Sequence, residues 1–142
     1  MKEIILQERQ RDLVNLFARA PMKETFGMEL HFNEHESAMF LMPYDPAFDH
    51  SLNQIHGGVI ATLLDNAGWF TAAQYYETWI STVEMQMRLL NPAAREKLIA
   101  SGNMIKKGNR IAVAEMRVET EDGNLIATGS GTFAVTSIPL ES

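Results

Sequence analysis

The chain has 142 residues, 46% of them hydrophobic, and a net charge of -6 from 12 basic and 18 acidic side chains. That length and apolar content suit one packed core rather than a disordered chain, and without a basic tract nucleic acid is a poor match as main partner. The absence of cysteine excludes disulfides, thiolate nucleophiles and cysteine-based zinc sites, and it fits a reducing compartment.

The start, MKEIILQERQRDL, holds an apolar run of three residues among charges, which is neither a secretory signal nor a membrane anchor. No window approaches the roughly 20 apolar residues that span a bilayer. A soluble, cytoplasmic protein with no membrane partner is the expectation. Ile5, Leu6, Leu13, Leu16 and Phe17 recur near helical spacing and predict an amphipathic helix over about 3–19. Pro21 then acts as a stop signal, with a turn over 22–26. Met28, Leu30 and Phe32, then Ala38, Phe40 and Met42, alternate with other residues and predict two strands joined around 34–36.

Residues 44–55, rich in Pro, Asp, His, Ser and Asn, read as a loop. The apolar segment 57–76 is too long for a strand, and its Ala and Leu content favours helix. Apolar nearly all round, it should be buried. From Thr78 the period changes to two, and four strands follow: WISTVEMQMRLL, EKLIASGNMIKKG, IAVAEMRVET and LIATGSGTFAVTS. KGNR and EDGN read as hairpin turns between them. Helix, two strands, a buried helix and four antiparallel strands predict an α+β fold, one sheet wrapped around one central helix. No repeat or linker divides it, so residues 1–142 read as a single domain.

Residues 56–66, HGGVIATLLDN, carry the chemistry. Gly57 and Gly58 remove Cβ atoms where the loop meets the helix N-terminus, so a ligand carbonyl can approach the backbone. Free N–H groups and the positive end of the helix dipole would stabilise an oxyanion there. Asp65 follows about two turns along. Ala61, Gly68 and Trp69 share its face, while Ile60, Leu63, Leu64 and Ala67 can face the sheet. A carboxylate in a buried helix needs partners, and one without them points to a catalytic or ligand-facing acid. The alternative is structural: glycines that permit tight helix–strand packing, and an Asp that serves as a hydrogen-bonder.

HGGVIATLLDNAG, followed in order by TVEMQMRLLNPA and IKKGNRIAVAEMRVETEDGNLIATGSGTFAV, resembles the hotdog-fold acyl-CoA thioesterases, in their phenylacetate-degradation (PaaI-like) branch. The likeness runs over roughly residues 26–136. It implies a hotdog fold and hydrolysis of a fatty-acyl or aryl-acyl CoA thioester without a cofactor. It implies Asp65 as general base for water or as nucleophile, the Gly57 backbone N–H polarising the carbonyl, and His56 as the family's His beside it. A family Ser or Thr, donated by the neighbouring subunit, falls on Thr82, which the strand pattern alone reads as an ordinary β-branched residue. A homodimer with sheets joined edge to edge, or a tetramer of two dimers, is implied as well. One departure stands out. The family loop resembles NxxGxxHGG, and here His50 and Asn53 hold the Asn and Gly places. His50 can donate a hydrogen bond instead or act as a second acid–base group, or Asn53 can reach the site from a shifted loop.

Other candidates weigh less. His31 and His35 share a strand face only if no turn intervenes, and no metal site is expected. Phosphate-loop and G-x-S-x-G motifs are absent. Trp69, Phe70, Tyr75, Tyr76 and Trp79 could line an acyl pocket, although aromatics near a helix end more often pack a core or interface. Trp69, on the Asp65 face, is the exception. Lys106, Lys107 and Arg110 sit at a hairpin where they can meet CoA phosphates or simply remain solvated. Two other functions fit the pattern: a hotdog hydratase or dehydratase using His50 or His56, and a non-catalytic acyl-CoA-binding module.

Overall fold

A computed structural model describes residues 4–140. Helices α1 (Leu6–Ala18) and α2 (Pro21–Phe26) precede strands β1 (Glu29–Phe32) and β2 (Ala38–Met42). Helix α3 (Gly57–Ala73) follows, and β3 (Thr78–Leu89), β4 (Leu98–Lys107), β5 (Ile111–Thr120) and β6 (Leu125–Pro139) complete the order. Every neighbouring pair is antiparallel in one six-stranded sheet ordered β1-β2-β4-β5-β6-β3. Helix α3 packs against β2 through β6. This is the expected hotdog arrangement, an antiparallel sheet around a long helix. Among the described residues no helix is long and apolar enough to cross a membrane.

The helical segments differ from the sequence expectation, each for a local reason. The first helix runs from Leu6 to Ala18 rather than over 3–19, because Ile5 is an extended N-cap; residue 3 lies outside the described residues. Residues 22–26 are helical rather than a turn. Pro21 sits in the first turn of α2, where its missing N–H costs nothing, and Gly27 closes the helix in the left-handed conformation. The central helix ends at Ala73 rather than 76. There the ladder tightens to three-residue spacing, with Tyr75 N–H donating to Ala72 O and Tyr76 N–H to Ala73 O. The buried Gln74 holds this end by donating from Nε2 to Thr71 O (2.9 Å) and to Glu36 O (2.7 Å).

A helix that is apolar all round must be covered on most sides, and small side chains on the sheet make the approach close. Ala100, Ala112, Ala114 and Ala127 are fully buried beneath α3. At Gly102 the contact is with backbone: a Cβ there would lie 2.6 Å from Ala67 O and 2.6 Å from Thr71 Oγ1. Thr71 Oγ1 in turn accepts a hydrogen bond from the Ala38 N–H at 3.0 Å. Gly68 makes the reciprocal approach, its missing Cβ facing Met116 Sδ at 2.8 Å. Gly102→Val is therefore expected to lower unfolding stability by about 3 kcal/mol, because neither the strand nor the helix backbone can yield. Urea denaturation checks this, and an unchanged midpoint would show that the sheet gives way without loss.

Helix α1 closes the other side. Leu13 and Phe17 are buried, and the Phe17 ring meets Phe40 edge-on at 5.0 Å and Phe70 at 5.6 Å. An Arg9 guanidinium hydrogen bond to Tyr76 O and a Gln10 Nε2 bond to Gln74 Oε1 (2.7 Å) fasten α1 to the end of α3.

Candidate active site

The N-terminus of α3 is built by the preceding loop. His56 N–H donates to Phe48 O at 3.0 Å, and Asp49 pairs with Ile55 in a short antiparallel bridge, so the loop folds back onto the helix start. His56 is the N-cap, its Nδ1 accepting from the Gly58 N–H at 2.8 Å. That bond takes Gly58 out of competition as an oxyanion donor. The Gly57 N–H donates to no acceptor among the described residues, as expected for the first residue of a helix. A Cβ at Gly57 would lie 2.7 Å from Leu89 Cδ1, so this glycine also permits the helix to meet β3.

His50 Nδ1 accepts from the Leu52 N–H at 3.1 Å, and Asn53 N–H donates to His50 O at 2.9 Å. Asn53 has φ 58°, a left-handed turn residue that Asn tolerates, and it is exposed. Its place in the sequence therefore has a backbone reason. With Nδ1 engaged as acceptor, neutral His50 and His56 each carry their proton on Nε2, ready to donate.

Asp65 is partly exposed rather than buried, and it is paired: the Thr82 hydroxyl donates to its Oδ1 at 2.9 Å. This overturns the picture of a lone acid in a buried helix. Thr82 reaches Asp65 within one chain, where the resemblance implied a donor from the neighbouring subunit. A register shift between Thr82 and Glu84 aims it. Thr82 pairs with Phe133 on the helix side, whereas Glu84 pairs with Thr132 and its Oε1 accepts from the Thr132 hydroxyl at 3.1 Å. Beyond the bulge the residues pairing with Gly131, Gly129 and Ala127 are Met85, Met87 and Leu89. The change of apolar parity, from Ile80 to Met85, was the one sign of the bulge in the sequence.

Asp65 and Thr82 stand at the mouth of a cavity of about 530 Å³. Trp69 and Phe70 of α3 and Trp79 and Ile80 of β3 line it on one side, and Leu16, Phe17, Ala20 and Met22 of the α1–α2 segment on the other. Trp69 is fixed by its indole N–H, which donates to Ile80 O at 2.6 Å, and its ring lies 4.7 Å from that of Trp79. The Asp65 face thus holds Trp69, as the helical spacing predicts, and Trp79 and Phe70 join it. Tyr75 and Tyr76 do not. Tyr75 OH donates to Glu36 Oε1 at 2.6 Å under the Lys107 ammonium, and burial first, then that hydrogen bond, push its phenol up. Tyr76 OH donates to Gly108 O at 2.7 Å in the β4–β5 turn.

Lys106 and Arg110 flank that same turn, exposed, beyond the C-terminal end of α3. The chain does not bring them to the cavity or to the helix start. Gly57 and Asp65 are separated too: eight residues of helix rise by about 12 Å, whereas attack requires reacting atoms about 3–3.5 Å apart. His31 lies in β1 and His35 in the following turn, so they share no strand face.

The family model described as the thioesterase superfamily matches residues 52–127. The chain belongs to the thioesterase superfamily. As a member it is a thioester hydrolase. A similar curated relative is the medium/long-chain acyl-CoA thioesterase YigI of Escherichia coli, 27% identical over 132 residues that cover 81% of this chain and 85% of the relative. A solved thioesterase family protein from Silicibacter pomeroyi is 28% identical with a TM-score of 0.82, covering 92% of this chain and 97% of that one. The E. coli PaaI protein of the phenylacetic acid degradation operon shares the fold, with a TM-score of 0.85 at 14% identity over 95% of this thioesterase and 98% of its own chain.

Proposed function

We propose that this thioesterase hydrolyses acyl-CoA thioesters, with Asp65 as the acid that activates water. The observation that carries the reading is the Asp65–Thr82 pair at the mouth of an apolar cavity. Thr82 occupies Oδ1 and orients the carboxylate. Oδ2, with no partner among the described residues, is left to accept a proton from water. The hydroxide equivalent adds to the thioester carbonyl carbon, and an oxyanion forms that an N–H donor must stabilise. Collapse breaks the C–S bond, CoA leaves as the thiol after taking up the proton, and the acid product remains.

The oxyanion donor is the Gly57 N–H, supplied by a second copy of the chain. A 12 Å separation, about eight helical residues, keeps one chain's Gly57 and Asp65 from acting on one carbon. The exposed edge favours such pairing. β3 lies at the edge of the sheet, and Val83, Met87 and Leu89 on it are 58%, 39% and 51% exposed, with Leu90 just past its end 47% exposed. An edge strand that long and apolar is covered in soluble proteins. Two copies joined along β3 form a homodimer in which each site takes Asp65 and Thr82 from one subunit and Gly57, His56 and His50 from its partner. The Nε2–H of His50 then stands where the family carries an Asn.

The YigI relative and the acyl-CoA specificity in its name support a CoA thioester as substrate. A panel of acetyl-, octanoyl-, tetradecanoyl- and phenylacetyl-CoA with a thiol-detecting dye tests the proposal. Thiol release from one or more members is expected; release from none would overturn it.

A further inference from the structure

The lining of the cavity changes character along α3. Asp65 and Asn66 stand level with Thr82 of β3 and with Ala20 and Met22, on the side where the groove is half-open. One helical turn further on, Trp69 and Phe70 are faced by Ile80 and Phe17, and that level is apolar. Asn66 brings to the open level a group that hydrolysis at Asp65 does not use. Its Nδ2 donates to Met28 Sδ at 3.4 Å and to Met22 Sδ at 3.9 Å, both weak acceptors. These flexible side chains pin the carboxamide without satisfying it. Its Oδ1 accepts no hydrogen bond among the described residues, although the side chain is half-buried.

We infer that Asn66 Oδ1 accepts a hydrogen bond from the first amide N–H of the substrate's thiol arm, so that this enzyme selects pantetheine-type thioesters over simple alkyl thioesters. The inference rests on the thioesterase reading of Asp65. In a CoA thioester a two-carbon link joins the sulfur to an amide N–H. With the carbonyl carbon at Asp65 and the acyl group in the apolar level, the arm leaves through the half-open side, past Asn66. Asn66 directly follows Asp65, with Cα atoms about 3.8 Å apart, a spacing that the two-carbon link matches. A site that hydrogen-bonds a substrate N–H rejects the analogue without it, because its own acceptor is then left unpaired.

Two measurements test this. The first compares S-(2-acetamidoethyl) with S-(2-acetoxyethyl) hexanethioate, which differ by an N–H against an ester oxygen. The wild type should favour the amide by about tenfold in kcat/KM, and Asn66→Leu should bring the ratio close to unity. A packing role alone would slow both substrates equally and leave the ratio as it was. Asn66→Asp keeps an acceptor while giving up the contacts to the two sulfurs, and it should retain the preference. A wild type without the preference, an unchanged ratio in Asn66→Leu, or its loss in both variants alike would overturn the assignment.

The second measurement needs no turnover. Both tryptophans of the chain, Trp69 and Trp79, line the cavity, so intrinsic fluorescence reports its occupation. The S-hexyl thioether of pantetheine, which cannot be hydrolysed, should bind the wild type and bind Asn66→Leu about tenfold more weakly. No response in the wild type, or equal affinities in the two proteins, would overturn the contact to the arm. Binding that depends on Asn66 without turnover of any acyl-CoA would instead sink the thioesterase reading and leave the arm contact standing.

Discussion

Asp65→Asn is expected to lower kcat by about 10³-fold against the best acyl-CoA, with the urea midpoint unchanged. The substitution keeps size and shape, and the amide oxygen still accepts the Thr82 hydroxyl that now meets Oδ1 at 2.9 Å. Partial exposure of Asp65 removes any burial penalty that the neutral amide would relieve. What Asn cannot do is take a proton from water. Steady-state kinetics with the dye assay reads this directly. Turnover within a few-fold of wild type would reduce Asp65 to a hydrogen-bond partner for Thr82 and end the proposed mechanism.

Gly57→Pro is expected to cost about 10²–10³-fold in kcat by deleting one N–H, the value of a single oxyanion donor. Proline is well suited to the first residue of a helix, which lacks an intrahelical partner for its N–H. The preceding His56 already has φ -62° and ψ 138°, the extended geometry a following proline requires. Only Leu89 Cδ1, 2.7 Å from the new Cβ, must rotate away, and Leu89 is half exposed. Combining this variant with Asp65→Asn tests the two-subunit site. Refolded together in equal amounts, half the dimers are mixed, and each mixed dimer has one site with both groups intact, so about a quarter of wild-type sites should return. Activity no higher than the sum of the separate variants would show that both groups act within one chain.

Much of this arrangement was readable before any coordinates. Asp65, Ala61, Gly68 and Trp69 share a face by helical spacing alone, and the acid and the indole do line one cavity. Segment 57–76 declared itself a buried helix through its length and uninterrupted apolar character, and it is one as far as Ala73. The end was misplaced because Gln74, Tyr75 and Tyr76 are acceptable in a helix; distant partners, Glu36 O and Gly108 O, hold them out of it. Pro21 was read as a stop when it is equally a start, since the same missing N–H suits both positions.

The composition and order of this chain determined the α+β class, the central helix, the hairpins and the helical face that carries Asp65, because these follow from periodicity and turn chemistry over a few residues. The tertiary structure alone decided three things. It put Thr82 on Asp65 through a bulge whose register is set by β6. It put residues of α1 and α2 into the lining of the cavity beside Asp65, through contacts between residues far apart in sequence. And it separated Gly57 from Asp65 along one rigid helix. In HGGVIATLLDN the glycine and the acid read as one site; about 12 Å of α-helix lies between them, a distance no side-chain motion closes, and it is the proposed dimer that would bring the two together.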